Sequence, residues 1–273
     1  MPTVQQLKKK LRSVRSTQKI SKAMKTASSV KFSRINALYS RFSAYENICN
    51  SIYEQNISNY NKLFATGDKE KAQAVIVIAG NKGMCGGFNQ MLLSYADEVL
   101  RKMENPIVFV CGKQAQSFFD TRKIPYKKAF VFPDIPDYTD ALPLMEEVWE
   151  YIPKGDLSSL KIIYSKYSNI MKQIPVSLEL LTTENESDVE SQTLFIPDKE
   201  SFIKETGKKI LFTRIYKRIL ETALSAQAAT LTAMRSAYDT ASEMVLELEG
   251  DINRKRQSQV TADVLETSTE FPQ

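Results

Sequence analysis

The sequence predicts an α/β protein in which helices at the two chain ends form an antiparallel coiled coil and the middle folds as a Rossmann-like, mainly parallel sheet. Glycine and proline penalise helix interiors. Both are absent between Pro2 and Gly67, whereas eight of the ten prolines lie from Pro106 to Pro197. Apolar residues also repeat every 3.5 residues near both ends. We therefore divide the chain into an N-terminal coiled-coil helix, an α/β domain and a C-terminal coiled-coil helix, at residues 1–66, 67–207 and 208–273.

The apolar repeat is clearest in the C-terminal segment, where steps of four and three alternate without a slip, as in a left-handed coiled-coil seam. Its positions are Leu220, Leu224, Gln227, Leu231, Met234, Tyr238, Ala241, Val245, Leu248 and Ile252. The N-terminal segment has two such blocks, Val4, Leu7, Leu11 and Val14, then Ile35, Leu38, Phe42, Tyr45, Cys49 and Ile52, linked by the small residues Thr17, Ser21, Ala23, Ala27 and Ser28. Each helix alone would expose its seam. We therefore predict that the two ends pack on each other, antiparallel because the middle domain returns the chain to its start.

The middle of the chain alternates short apolar runs with helical stretches. Runs rich in β-branched residues predict strands at residues 74–79, 106–111, 128–132 and 160–167, with a helix at residues 139–151. This alternation is typical of a parallel sheet covered on both faces. The later runs SLELL and QTLFI predict further strands.

A glycine-rich turn, GNKGMCGGFN, follows the first predicted strand and precedes a helix. Doubly wound folds hold phosphates at this place. The spacing of Gly80, Gly83, Gly86 and Gly87 matches neither the P-loop nor the dinucleotide pattern. We therefore interpret these glycines as a structural turn and predict no bound cofactor.

The amino-acid composition argues against several kinds of functional site. The chain has no histidine, and its three cysteines have no paired ligand spacing, so we predict neither a metal site nor a disulfide framework. A reducing cytosol fits this composition. No apolar run reaches the roughly 18 residues that a membrane span needs.

Charge is concentrated at the N-terminal end, where residues 1–45 carry eleven Lys and Arg and the first carboxylate is Glu46. Three interpretations fit a segment that is basic and poor in acids: a transit peptide, a nucleic-acid-binding arm and a solvated helix face. The heptad repeat through Ile52 disfavours a transit peptide, and aromatic residues near the seam disfavour base stacking. A helix held within an acidic protein environment is the fourth interpretation.

Four segments together resemble the γ subunit of F-type ATP synthase. They are RSVRSTQKISKAMKTASSVK, AGNKGMCGGFN, LKIIYSKYSNIMKQIPV, and AQAATLTAMRSAYDTASEM with NRKRQSQVT. The resemblance implies a central shaft that turns inside a hexamer of α and β subunits. It also implies an ε-type subunit and a membrane c-ring at the globular domain, catalysis in the β subunits rather than in this chain, and a cytoplasmic location at the inner face of the cell membrane.

The resemblance also implies which residues of the shaft contact the β subunits. These are Thr17, Gln18, Lys19, Ile20, Lys22, Ala23, Met24, Arg256 and Gln257. After Thr261 the chain is more polar than the family pattern. This departure leaves open a γ-like shaft of an F1-like ATPase not coupled to a proton channel, as in some wall-less bacteria. A nucleic-acid-binding coiled-coil protein is the alternative from another class.

Overall fold

A computed structural model describes residues 3–56, 59–60, 72–152, 157–180 and 198–269. The chain forms two compact units, one made of residues 1–28 and 231–273 and the other of residues 29–230. The helices are α1 Val4–Gln55, α2 Phe88–Leu100, α3 Lys113–Arg122, α4 Tyr138–Trp149 and α5 Lys199–Thr269. The strands are β1 Ala72–Ile78, β2 Ile107–Cys111, β3 Lys128–Phe130, β4 Leu157–Tyr167 and β5 Gln173–Glu179.

Both long helices begin at side-chain caps. Thr3 Oγ1 accepts a hydrogen bond from the backbone N–H of Gln6 at 3.3 Å, and Gln6 Oε1 accepts one from the N–H of Thr3 at 2.9 Å. This reciprocal pair is a capping box. At the start of α5, Asp198 Oδ1 accepts from the N–H of Ser201 at 2.8 Å. This bond lowers the pKa of Asp198, since it favours the ionised carboxylate.

The sheet has the order β3-β2-β1-β4-β5. Strands β1 to β4 run parallel to one another, and β5 pairs antiparallel with β4 at the edge. The predicted mainly parallel sheet is confirmed, with strand ends shifted by a few residues. The predicted helix at residues 139–151 corresponds to α4. Residues 177–179 of the SLELL run form the end of β5, whereas Leu181 and the QTLFI run lie outside the described residues.

Helices cover both faces of the sheet. Successive residues of a strand point to opposite sides, so each strand contributes side chains to the cores on both faces. Ala74, Ile76 and Ile78 of β1 pack into a core formed with α1, α4 and α5. Val75 and Val77 of the same strand pack against α2 and α3. All five are 0–2% exposed. The central strand is therefore buried on both faces, as its uninterrupted apolar run predicted. Over the described residues, no helix combines the length and apolarity needed to cross a membrane.

Candidate functional site

The unit made of residues 1–28 and 231–273 contains a pair of antiparallel helices. Gln18 Nε2 of α1 donates a hydrogen bond to Ser242 Oγ of α5 at 2.9 Å. Arg15 pairs with Glu249, and Lys25 Nζ lies 5.3 Å from the ring centroid of Tyr238. Because the partner numbers fall as the α1 numbers rise, the helices run in opposite directions. The predicted antiparallel pairing of the chain ends is confirmed.

The seam of α5 agrees with the prediction, since every predicted position is buried or half-buried. The seam of α1 differs from the prediction in its middle. Its inward positions alternate three and four without interruption: Val4, Leu7, Leu11, Val14, Gln18, Ser21, Lys25, Ser28, Phe32, Ile35, Tyr39, Phe42, Glu46, Cys49 and Tyr53. The predicted seam residues Leu38 and Tyr45 are instead exposed, as are Thr17, Ala23 and Ala27 of the predicted link. Gln18, Lys25 and Glu46 occupy inward positions with partners on α5, so apolarity alone does not locate this seam.

The predicted β-contact residues of α1 lie mostly on the exposed face of the helix. Thr17, Lys19, Ile20, Lys22 and Ala23 are exposed, with Ile20 at 56%. Two neighbours differ from these, because Met24 is half-buried and Gln18 is half-buried against Ser242. Arg256 and Gln257 of α5 are exposed. The structure thus presents a positively charged strip with an exposed isoleucine, and its contact with β subunits stays a prediction.

Sequence reasoning missed a buried ionic network in the unit made of residues 29–230. Glu46, the first carboxylate of the chain, lies on the α1 seam with a side chain only 7% exposed. Its Oε2 is 2.6 Å from Lys217 Nζ, and its Oε1 is 3.4 Å from Arg218 Nη2. Arg218 also donates to Glu221 at 3.1 Å, and Glu221 accepts from the backbone N–H of Tyr167 at 3.2 Å. The network therefore joins α1, α5 and β4.

Burial shifts the titration of the groups around this network. It raises the pKa of Glu221, an effect that the nearby Arg218 opposes. Burial, with the neighbouring Glu221 carboxylate, raises the pKa of Tyr39 to about 12. Tyr39 also lies under Lys217, whose Nζ is 4.8 Å from the ring centroid. The two carboxylates and two cations compensate one another in a site that excludes most water.

The glycine turn after β1 is held by two asparagines. Asn89 Oδ1 accepts from the N–H of Gly80 at 3.0 Å, and Asn89 Nδ2 donates to the carbonyl of Lys82 at 3.0 Å. Asn81 accepts from the N–H of Lys113 at 3.2 Å and donates to the carbonyl of Phe132. The turn is thereby tied to α2, to the start of α3 and to the segment that follows β3.

Only part of the predicted glycine set is required by the backbone. Gly86 has a φ of 60°, and Gly87 precedes α2 as its N-cap. A Cβ on Gly80 would lie 3.0 Å from Asn89 Oδ1, whereas one on Gly83 would meet nothing within 4 Å. Glycine is therefore required at Gly80 for close packing and at Gly86 for a left-handed backbone conformation.

A cavity at the carboxyl ends of β1 and β2 has a volume of about 50 Å³. Its walls include Gly80, Asn81 and Asp134, and the α5 residues Ile219 to Gln227 close it. Such a volume holds one or two water molecules, whereas small-molecule pockets enclose roughly 300–1,000 Å³. Among the described residues, no group of three or more Cys, Asp or Glu is placed to hold a metal ion.

The fold and the paired helices define a class of protein in which two chain ends form one rod-like helix pair and the middle forms a doubly wound sheet. A sequence profile of the ATP synthase family matches residues 3–269. The chain is 31% identical over 287 residues to the ATP synthase gamma chain of Pelagibacter ubique, covering 97% of both chains. It is 29% identical over 283 residues to the gamma chain of Ruminococcus albus, covering 98% of both.

Solved structures show the same fold. A chain of the Euglena gracilis mitochondrial ATP synthase, in a structure of its OSCP, F1 and c-ring, superposes with a TM-score of 0.69 at 14% identity, covering 98% of this chain and 93% of that one. The chain therefore belongs to the ATP synthase γ-chain family, the central-shaft subunits. The predicted family, fold class and central-shaft function are confirmed.

Proposed function

We propose that this chain rotates inside a hexamer of α and β subunits and transmits torque between them and an ε-type subunit with a c-ring. The carrying observation is the antiparallel pairing of α1 with α5, seen in Gln18 with Ser242 and Lys25 with Tyr238. Two paired helices resist twisting and bending better than one. The end-to-end match to a relative named as an ATP synthase gamma chain supports the same assignment.

We propose further that the chain performs no bond chemistry and that ATP is hydrolysed or made in the β subunits. The cavity at the carboxyl edge of the sheet is far smaller than a nucleotide, which supports this division of labour. The chain would lie in the cytoplasm, held at the inner face of the membrane through its partners. The division into residues 1–66, 67–207 and 208–273 remains our proposal for where shaft and globular domain meet in sequence.

The exposed strip formed by Thr17, Lys19, Ile20, Lys22 and Ala23 supplies the asymmetry that rotation requires. A shaft biases the states of the surrounding subunits only if it binds those states unequally. Lys19 and Lys22 are exposed on one helix, and no carboxylate precedes Glu46 in the sequence. Positive charge on this face would favour the β conformation that presents an acidic surface and disfavour the others.

Reversing this charge should impair the motor without unfolding the chain. We expect Lys19→Glu with Lys22→Glu to lower ATP-driven rotation by about tenfold, because the new carboxylates would repel an acidic partner surface that the lysines attract. Lys25 is left unchanged, since it contacts Tyr238 and belongs to the seam. Rotation of a surface-tethered complex, with ATP hydrolysis measured in parallel, reports the effect.

The matched control reverses Lys127, which is exposed in the other unit. Lys127→Glu should rotate like the unmodified chain. Equal rotation in the Lys19/Lys22 variant and the Lys127 variant would mean that the strip is only a solvated face.

Removing the end of α5 tests the second predicted contact. The α5 seam ends at Ile252, and Arg256 and Gln257 beyond it are exposed. We expect deletion of residues 253–273 to lower the ratio of work to ATP hydrolysed while leaving the unit of residues 29–230 folded, because none of the removed residues belongs to that unit. The fluorescence of Trp149, the single tryptophan, reports that unit. Loss of its native emission, or unchanged coupling, would contradict the assignment.

A further inference from the structure

The turn between β4 and β5 exposes apolar side chains at its tip. Met171 is 78% exposed, Ile170 is 41% exposed and Ile174 is 36% exposed. Neighbouring apolar residues exposed together are a feature of surfaces that bind other molecules. Methionine suits such a surface because its flexible, polarisable side chain adapts to a partner. We define residues 168–174 as the hairpin tip.

The backbone of the hairpin tip is held by its own side chains. Asn169 Oδ1 accepts hydrogen bonds from the N–H groups of Met171 and Lys172, both at 2.9 Å. Gln173 Nε2 donates to the carbonyls of Asn169 at 3.0 Å and Ile170 at 2.8 Å. The N–H of Ser168 donates to the carbonyl of Lys172 at 3.3 Å. A turn fixed in this way loses little conformational entropy on binding, so it is preorganised to present Met171.

The charge around the hairpin tip has one sign. From Leu157 to Leu178 the sequence contains three lysines and no Asp or Glu. Lys166 and Lys172 are exposed on either side of Met171 in sequence. The one carboxylate that bonds this hairpin from another element is Glu221, among the hydrogen bonds of the described residues, and it is 3% exposed and paired with Arg218. The solvent therefore faces cations and apolar groups at this tip.

The hairpin tip adjoins the basic segment of α1. The ring of Tyr167, the last residue of β4, lies 5.9 Å from the ring of Phe32. Arg34, two residues further along α1, is exposed. The hairpin therefore packs against α1 at Phe32, within the segment of that helix that precedes its first carboxylate, Glu46.

We propose that the hairpin tip docks onto an acidic loop of an α or β subunit that also offers an apolar recess for Met171. This inference rests on the proposed function and names an additional contact between the chain and the ring. Charge complementarity selects an acidic protein surface. A lipid surface fits less well, because stable membrane attachment takes several basic residues with deep apolar burial or a lipid anchor. The docked tip would limit sideways movement of the chain while it turns.

Site-directed cross-linking tests the docking. The natural residues Cys49, Cys85 and Cys111 are all buried, so a cysteine placed on the surface can be labelled selectively. In the assembled complex, Met171→Cys carrying a photoreactive group should cross-link to an acidic segment of an α or β subunit, identified by mass spectrometry. Met91→Cys, at a 56% exposed methionine on α2, is the matched control and should give little ring cross-link.

Ala23→Cys on the exposed strip separates the two proposals. Cross-linking from position 23 but not from position 171 would overturn the docking and leave the shaft function standing. Absence of ring cross-links from both positions would overturn the proposed function as well. Products with an ε-type subunit or with lipid at position 171 would also overturn the docking.

Charge reversal at the hairpin tip gives an independent measure. Lys166→Glu with Lys172→Glu should reduce the yield of the cross-link from position 171 by about tenfold, because both lysines would repel an acidic partner. Lys166→Arg with Lys172→Arg should retain the yield. Unchanged yield in the Glu variant, or sedimentation of the pure chain with phosphatidylglycerol vesicles that depends on these lysines, would overturn the proposal.

Discussion

Replacing Lys217 with Met should lower the free energy of unfolding by about 3–5 kcal/mol, because it leaves the Glu46 carboxylate buried without its closest counter-charge. The Lys217 Nζ lies 2.6 Å from Glu46 Oε2, and both side chains are only 7% exposed. Arg218 remains 3.4 Å from the other carboxylate oxygen, so the loss belongs at the lower end of this range. Urea unfolding followed by Trp149 fluorescence measures it, since Trp149 lies in the same unit.

Two further variants test whether the loss of stability depends on the burial of the ion pair. The exposed pair Lys102–Glu98 has side chains 72% and 66% exposed, so Lys102→Met should change stability by less than about 1 kcal/mol. Glu46→Leu combined with Lys217→Met should recover much of the loss, because removing both charges of a buried pair leaves neither uncompensated. If Lys217→Met were as mild as Lys102→Met, water would be screening the site and the network would not hold the helices together.

The ionic network also helps to set the register in which α1 packs against α5. A buried polar group on a coiled-coil seam specifies alignment when a shift would separate it from its partner. Moving α1 by one turn would take Glu46 away from both Lys217 and Arg218. The apolar seam positions alone would tolerate such a shift better, since any aliphatic residue can pack against another. The network thus supplies specificity that the apolar repeat does not contain.

The polar members of the α1 seam show the limit of sequence reasoning. The C-terminal repeat was predictable because its positions are almost all apolar. In α1, Gln18, Lys25 and Glu46 occupy inward positions, and each has a partner on α5. A search for apolar residues at heptad spacing does not find these polar positions and selects exposed neighbours such as Leu38 and Tyr45 instead. The unbroken alternation of three and four from Val4 to Tyr53 is the signal that identifies them.

The sheet shows a similar division between what sequence can and cannot predict. Strand β1 was predictable because both of its faces are buried, which gives a continuous apolar run. The edge strand β5 is covered less completely and contains half-buried and exposed residues in an irregular order, so its pattern is weaker. Its antiparallel direction follows from the tight turn after β4. The asparagines that hold the glycine turn carry no spacing signal, because their partners lie on other elements.

The largest backbone effect is expected at Gly112, a glycine that the turn pattern did not include. It precedes α3 with a φ of 97° and a ψ of 145°, a region that side-chain-bearing residues avoid at a cost of about 1–3 kcal/mol. A Cβ there would lie 2.2 Å from the carbonyl oxygen of Ala79 and 3.1 Å from that of Gly80. Both are backbone atoms, so no side-chain rotation can relieve the overlap.

The hydrogen bonds around Gly112 prevent an easy shift of the backbone. Its N–H donates to the carbonyl of Phe130 at 2.8 Å, and the N–H of Ala79 donates to the carbonyl of Cys111 at 2.9 Å. The N–H of Gln114 donates to the carbonyl of Gly80 at 3.1 Å. These bonds join the ends of β1, β2 and β3 to the start of α3. Making room for a methyl group means breaking some of them.

We therefore expect Gly112→Ala to destabilise the unit of residues 29–230 by more than about 4 kcal/mol, a loss that single substitutions reach only with a severe backbone or core defect. Gly83→Ala is the matched control, because a Cβ at Gly83 meets nothing within 4 Å, and it should change stability by less than about 0.5 kcal/mol. Urea unfolding of both variants, followed by Trp149 fluorescence, makes the comparison. Similar stability of the two variants would show that the Ala79–Gly80 backbone yields, and the carboxyl edge of the sheet would then be pliable rather than rigid.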